Sequence, residues 1–230
     1  MNIRTHWRRL LDHAFNPCCA FCHLPCISGH PLCERCHAEL PWLLPEQNQP
    51  LSNHVNSLSA FAYQPPISNL LLGIKFGKNL HELATLGELT ATGLLPQLEQ
   101  IPEAILPVPL HVSRLHKRGF NQALELVRPL AKQLGAPLLT DVIQRSKATQ
   151  PQTELDSSQR QYNLRQAFQL DKPLRYKRLA IFDDVITTGA TARELVALLQ
   201  HNGAEQVEIW SCARAILRQS HELMPQIDYH

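Results

Sequence analysis

The chain has 230 residues, 44% of them apolar and 18% charged, with a formal net charge of +2. That length allows one large domain or an ordinary domain plus a small module, and the composition is that of a globular protein. Near-neutral charge gives no overall electrostatic footprint for nucleic acid, and no run approaches the roughly 18 apolar residues of a membrane-spanning helix.

The first expected element is a short amphipathic helix over His6 to Phe15, with Trp7, Leu10, Leu11 and Ala14 on one side. The same stretch is basic, but it offers only the Leu10-Leu11 pair where a secretory segment needs a longer apolar run. The expected location is therefore the cytoplasm. Six of the seven cysteines then fall between positions 18 and 36, in CCAFCHLPCISGHPLCERC. Cys19-x-x-Cys22 and Cys33-x-x-Cys36 form two knuckles whose four thiolates can converge on one structural Zn²⁺. Disulfides are disfavoured in a reducing cytoplasm, and a redox pair needs only one such knuckle, so zinc is preferred. Cys18, Cys26, His23, His30 and His37 remain alternative ligands. A segment of about 40 residues buries little core, so the metal is expected to supply its folding free energy.

Pro41, Pro45, Pro50 and the run Glu46 to Gln49 read as a linker. The expected division is a helix-plus-zinc module over 1–45, a linker over 46–53 and a second domain over 54–230. In that domain Leu58 to Tyr63 reads as a strand, and Ile67, Leu70, Leu71 and Ile74 mark a helix ending in Lys75-Phe76-Gly77-Lys78. A further helix runs over about Leu80 to Leu94. Lys75 is a candidate point-charge ligand for pyrophosphate. Ala104 to Leu110 is a buried strand leading into a loop, His111 to Gln122, rich in arginine, lysine and histidine. Such a concentration of cations suits a dianionic ligand, and Arg114 and Arg118 are the candidates. A helix follows with Ala123, Val127, Leu130 and Leu134 inward, kinked by Pro129 and ended by Gly135. The polar stretch Arg145 to Phe168 has little periodicity. Lys147 to Leu155 is expected to move over the site, and Asp156 to start a short helix carrying Arg160, Leu164 and Arg165.

The chemistry concentrates in Lys177 to Cys212. Arg178 to Phe182 is a buried strand, Ala192, Leu195, Val196 and Leu199 mark a helix stopped at Asn202-Gly203, and Gln206 to Cys212 is a second strand. Strand, helix and strand of this length make a right-handed parallel crossover, whose ligands bind beyond the carboxyl ends of the strands. Thr187-Thr188-Gly189-Ala190-Thr191 then forms a phosphate cradle of hydroxyls and helix N-terminal N–H groups. Asp183 and Asp184 would repel that phosphate unless they accept from sugar hydroxyls or face a divalent cation. Phosphate at one end and a diol at the other describes a ribose 5-phosphate.

Ile181 to Thr191, IFDDVITTGAT, resembles the phosphoribosyl pyrophosphate (PRPP) signature of type I phosphoribosyltransferases. The wider pattern, with cysteine knuckles, Ala60-Phe61-Ala62-Tyr63, Gly73-Ile74-Lys75-Phe76 and Arg114-x-x-x-Arg118-Gly119-Phe120-Asn121-Gln122, is similar to the ComF family of competence and DNA-utilisation proteins. The resemblance implies an α/β, parallel-sheet type I phosphoribosyltransferase fold preceded by a small zinc-binding module with four cysteine ligands. It implies PRPP held with Mg²⁺: Asp183 and Asp184 on the ribose, Thr187, Thr188, Gly189, Ala190 and Thr191 on the 5-phosphate, and Arg114 and Arg118 on pyrophosphate. Two functions follow from it. One is a role in DNA uptake by handling single-stranded DNA, with a further competence component such as a helicase as partner. The other is phosphoribosyl transfer to a nitrogen acceptor, in which Asp183, Asp184 and Arg118 would be catalytic.

Overall fold

A computed structural model describes residues 18–22, 24–26, 31–52, 55–76, 80–145 and 167–216. The helix expected over 6–15, the candidate ligands His23 and His30, the 147–155 loop and the helix expected from Asp156 lie outside the described residues.

The central strands are apolar along most of their length because both of their faces are covered. β1 (Ser57–Ala62), β2 (Ala104–Pro107), β5 (Arg178–Ile186) and β6 (Gln206–Arg214) make one parallel four-stranded sheet in the order β1-β6-β5-β2. On one face Phe61, Phe182 and Trp210 pack with helices α2 (Ile67–Phe76), α3 (Leu80–Leu94) and α5 (Gln122–Leu134). On the other, Leu179, Ile181 and Ile209 pack with Leu195 and Leu199 of α6 (Ala190–His201). α6 buries Ala192, Leu195, Val196 and Leu199, the four positions its sequence period selects. α5 continues through Pro129 to a left-handed cap at Gly135.

Edge strands expose unpaired backbone groups, and both edges here are covered. Along β1, Leu43 N–H donates to Ala60 O at 2.9 Å and Ala62 N–H donates to Pro41 O at 2.8 Å. Along β2, Ile105 N–H donates to Pro137 O and Leu139 N–H donates to Ile105 O. The stretch read as a linker is fastened down: Asn48 Oδ1 accepts from Ser59 N–H at 2.9 Å, and Arg214 donates to the Gln49 carbonyl. The cysteine segment carries α1 (Glu34–Ala38) and shares the main core, since Cys19, Cys26, Leu32 and Leu40 join the cluster that holds Phe61. Trp42 forms the joint. Its ring lies 4.5 Å from Phe61 and 5.2 Å from His37, in room left by Gly93, where an added Cβ would lie 2.8 Å from the indole.

Three expectations are corrected. β2 stops at Pro107, and the supposed loop after it folds into α4 (Val112–Arg118). His111 caps that helix through Nδ1, which accepts from Ser113 N–H at 3.2 Å, and Gly119 at φ 81° closes it. Histidine is not among the favoured capping residues, so no sequence signal marked the start. β5 runs on through Asp183 and Asp184 to Ile186, because the ladder to β6 continues at Asp183↔Ser211, Val185↔Ala213 and Ile186↔Arg214. A hairpin of β3 (Ile143–Arg145) with β4 (Phe168–Leu170) stands apart from the main sheet. Among the described residues no helix is long and apolar enough to cross a membrane.

Candidate functional site

The sulfur atoms of Cys19, Cys22, Cys33 and Cys36 all lie within 4.8 Å of one another, and those of Cys22 and Cys33 are 3.7 Å apart. Tetrahedral coordination with Zn–S bonds of about 2.3 Å requires sulfur separations of about 3.8 Å, so the donor set fits that ion. Local folding builds each half. Cys33 caps α1, and its sulfur accepts from Cys36 N–H at 3.5 Å, which curls the second knuckle around the centre. Burial pushes the Cys19 thiol up, but the backbone N–H groups of Cys22, Cys33 and Phe21 outweigh it and bring the group down to about 6. Cys36 is pushed up, by burial and then by the neighbouring thiols Cys33, Cys22 and Cys19. Thiols packed so that they resist joint ionisation suit a cation at their centre. Cys26 stands outside this quartet, with its sulfur 3.9 Å from Leu24 O, and the His37 ring rests on Trp42. Four closely spaced cysteines can therefore hold a metal ion.

The second cluster lies at the carboxyl end of β5. Asp183 Oδ1 accepts from Asp184 N–H and Asp184 Oδ1 from Val185 N–H, both at 2.9 Å. Burial holds the Asp183 carboxyl well above the usual carboxylate range, and the Asp184 charge adds to the shift. Asp184 is within electrostatic reach of Arg118 and Asp183 of Arg145. Arg114 and Arg118 sit one turn apart on α4, so they share a face of that helix. Burial lowers the Arg118 pKa, with Arg114 adding to that effect and Asp184 opposing it.

Past Ile186, Thr187 and Thr188 are exposed and Thr191 is half-buried. Gly189, at φ 71°, is the cap residue of α6, and no side chain caps that helix. The first N–H groups of α6 thus lack a side-chain acceptor, the arrangement that favours an anion. Arg193 donates to the Thr188 carbonyl from the first turn.

Lys75 stands on α2. It is exposed in the last turn of α2, with no ion pair among the described residues. The sequence reading missed Arg145 and Glu194. The Arg145 guanidinium lies 5.3 Å from the Phe168 ring centre and in electrostatic reach of Arg114, Asp183 and Glu194. Glu194 Oε1 accepts from Ala167 N–H at 2.8 Å, which ties the start of β4 to α6. The signal for Arg145 was slight: a cation ending a three-residue strand in a polar stretch. Asn121 and Gln122, by contrast, have structural work. Asn121 caps α5 and donates to Val108 O at 3.0 Å, and buried Gln122 donates to Leu71 O at 3.3 Å.

No protein-family model matches the chain. It is 33% identical over 202 residues to the DNA utilization protein YhgH of Escherichia coli K12, covering 86% of this chain and 84% of that protein. It is 33% identical over 220 residues to Competence protein F of Haemophilus influenzae, covering 91% and 96%. The chain belongs to the ComF family. A third relative within this family, YhgH of Salmonella typhimurium, is 34% identical over 207 residues, covering 86% of this chain and 90% of its own length. Among solved structures, one titled as the allosteric regulatory enzyme of purine biosynthesis overlaps 56% of this ComF-family chain and 26% of its own. Its TM-score of 0.38 and 15% identity are too low to bear on fold or function.

Proposed function

We propose that this ComF-family chain binds PRPP together with Mg²⁺ at the carboxyl end of β5, and that it serves DNA utilisation by handling single-stranded DNA. The observation that carries the ligand reading is one juxtaposition. Two interacting acids lie near the carboxyl end of a central strand, an uncapped helix N-terminus follows that strand after a hydroxyl-rich turn, and Arg118 reaches the acids from α4. An acid pair beside a phosphate site is repulsive unless the ligand brings hydroxyls or a cation between them, and PRPP brings both. Asp183 and Asp184 take the ribose hydroxyls, the turn Thr187 to Thr191 takes the 5-phosphate, and Arg114, Arg118 and Arg145 face the pyrophosphate. Lys75, exposed on α2, supplies a further point charge toward the pyrophosphate. Asp183 and Asp184 fit the ion as well, for each commits one carboxylate oxygen to a backbone N–H and the two carboxyls crowd each other, a repulsion that a hard cation would relieve. When bound, Mg²⁺ would neutralise part of the pyrophosphate charge.

The DNA role comes from the family, whose members are named for competence and DNA utilisation. The basic, partly apolar surface of α4 is compatible with it: Val112 is 61% and Leu115 41% exposed beside Arg114, Lys117 and Arg118. The cysteine centre is proposed as a structural zinc site in a module spanning 1–45, with a cytoplasmic location and a further competence component, such as a helicase, as partner.

Titration calorimetry with PRPP and Mg²⁺ tests the ligand. Saturable binding that disappears in Asp184→Asn is expected, and a flat titration of folded, metal-loaded protein would overturn it. Anisotropy of a labelled single strand tests the DNA role. Salt-sensitive binding kept by Asp184→Asn and lost by Arg114→Ala with Arg118→Ala is expected, and absence of binding at low salt would refute that half. Saturable pyrophosphate release with a nitrogen acceptor would move the conclusion to an active phosphoribosyltransferase.

A further inference from the structure

A turn that offers backbone N–H groups to a phosphate must be held in one shape before the ligand arrives, because ordering it on binding subtracts from affinity. The Thr187–Gly189 turn has little of its own to hold it. Thr187 and Thr188 are exposed, no side chain caps α6, and Gly189 is the residue type with most freedom to relax. Arg193 steadies it from the helix side by donating to the Thr188 carbonyl.

Beside Gly189 stands Leu51. An added Cβ at Gly189 would lie 2.2 Å from Leu51 Cδ1 and 3.4 Å from its Cγ, so the leucine occupies the space next to the glycine. Glycine at 189 is therefore required twice, by φ and by the approach of a side chain from far away in sequence. Leu51 is itself well anchored. Asn48 exchanges hydrogen bonds with Ser59 N–H at 2.9 Å and Gln97 Oε1 at 2.7 Å, and Leu51 N–H donates to Val55 O at 2.9 Å. Arg214, which donates to the Gln49 carbonyl, pairs in the sheet with Ile186, the residue just before the turn. The strap arriving from the cysteine segment is thus pinned to the same strand ends that carry the turn.

We infer that Leu51 is a positioning residue for the phosphate turn: its side chain walls Gly189 and holds the left-handed bend that aims the first N–H groups of α6. This rests on the ribose 5-phosphate reading above. The leucine touches no ligand. It acts through Gly189, and the half of the site on α4 does not depend on it.

The test titrates ribose 5-phosphate and pyrophosphate separately into full-length, metal-loaded protein. Leu51→Ala is expected to weaken ribose 5-phosphate about tenfold and to leave pyrophosphate within about twofold, with Leu51→Met restoring the loss. Leu51→Val, which removes less, should fall between and serves if the alanine variant does not fold. Gly189→Ala should lose ribose 5-phosphate in the wild-type background and regain part of it beside Leu51→Ala, since the second change empties the space that the new methyl needs. Equal weakening of both ligands, or no change in either, would overturn the inference while leaving the ligand reading intact. Failure of the wild-type protein to bind ribose 5-phosphate, PRPP or pyrophosphate would overturn both.

Discussion

The cysteine cluster and the carboxyl end of β5 are built in opposite ways. The four sulfurs come from one short stretch, are held by knuckle hydrogen bonds within it, and form a closed set with no position left for a substrate. The cluster at β5 draws Asp183 and Asp184 from a central strand, Arg118 from α4, Arg145 from a separate hairpin and Leu51 from the strap. It also leaves a helix end that no side chain of its cap residue satisfies. A closed, self-satisfied centre suits stability, and an open one with crowded like charges suits a ligand.

Removing the metal is the strongest way to break this contrast. Chelation or Cys33→Ser should release one zinc per chain and unfold the cysteine segment, since structural zinc carries an apparent binding free energy of about 10 kcal/mol or more. Metal analysis with a thermal melt checks it, and an unchanged melt without zinc would refute a structural role. Next in size is Trp42→Ala at the joint, expected to cost about 3 kcal/mol by emptying the contact with Phe61 and His37. Zinc content should survive that change. If zinc is lost too, the two regions fold as one unit.

Asp183→Asn sharpens the other side. Burial and Asp184 raise the folded carboxyl above its unfolded value. Stability from this group is therefore fully present below the unfolded pKa and is lost as pH rises through the folded one. The amide removes that loss, so the ligand-free variant should be more stable than wild type at neutral pH, with a flatter stability profile, while PRPP binding disappears. Melts across pH check the sign, and a destabilised variant at neutral pH would contradict it. Smallest is Arg35→Ala, which breaks an exposed pair with Glu39 at 3.0 Å and should leave the melting temperature nearly unchanged.

Much was legible beforehand because it is written in short-range patterns. The spacing of Cys19, Cys22, Cys33 and Cys36 marked the quartet, the 3.6-residue period picked all four buried positions of α6, and α3 has the bounds its pattern suggested. Other features were not legible. α4 starts on a histidine cap that no rule favours, and β5 extends past its apolar run because pairing to β6, not hydropathy, sets its length. Arg145 looked like one more cation in a polar stretch.

By itself, then, the chain's order of residues determined which segments could be strands, helices and cysteine knuckles, because covalent spacing and backbone period act over a few residues. Only the tertiary structure decided which of the cations meet the acid pair, that the cysteine segment shares the main core, and that Leu51 lies on Gly189. Those are matters of packing between segments distant along the chain, where distance and burial set the energy and sequence separation carries no information about either.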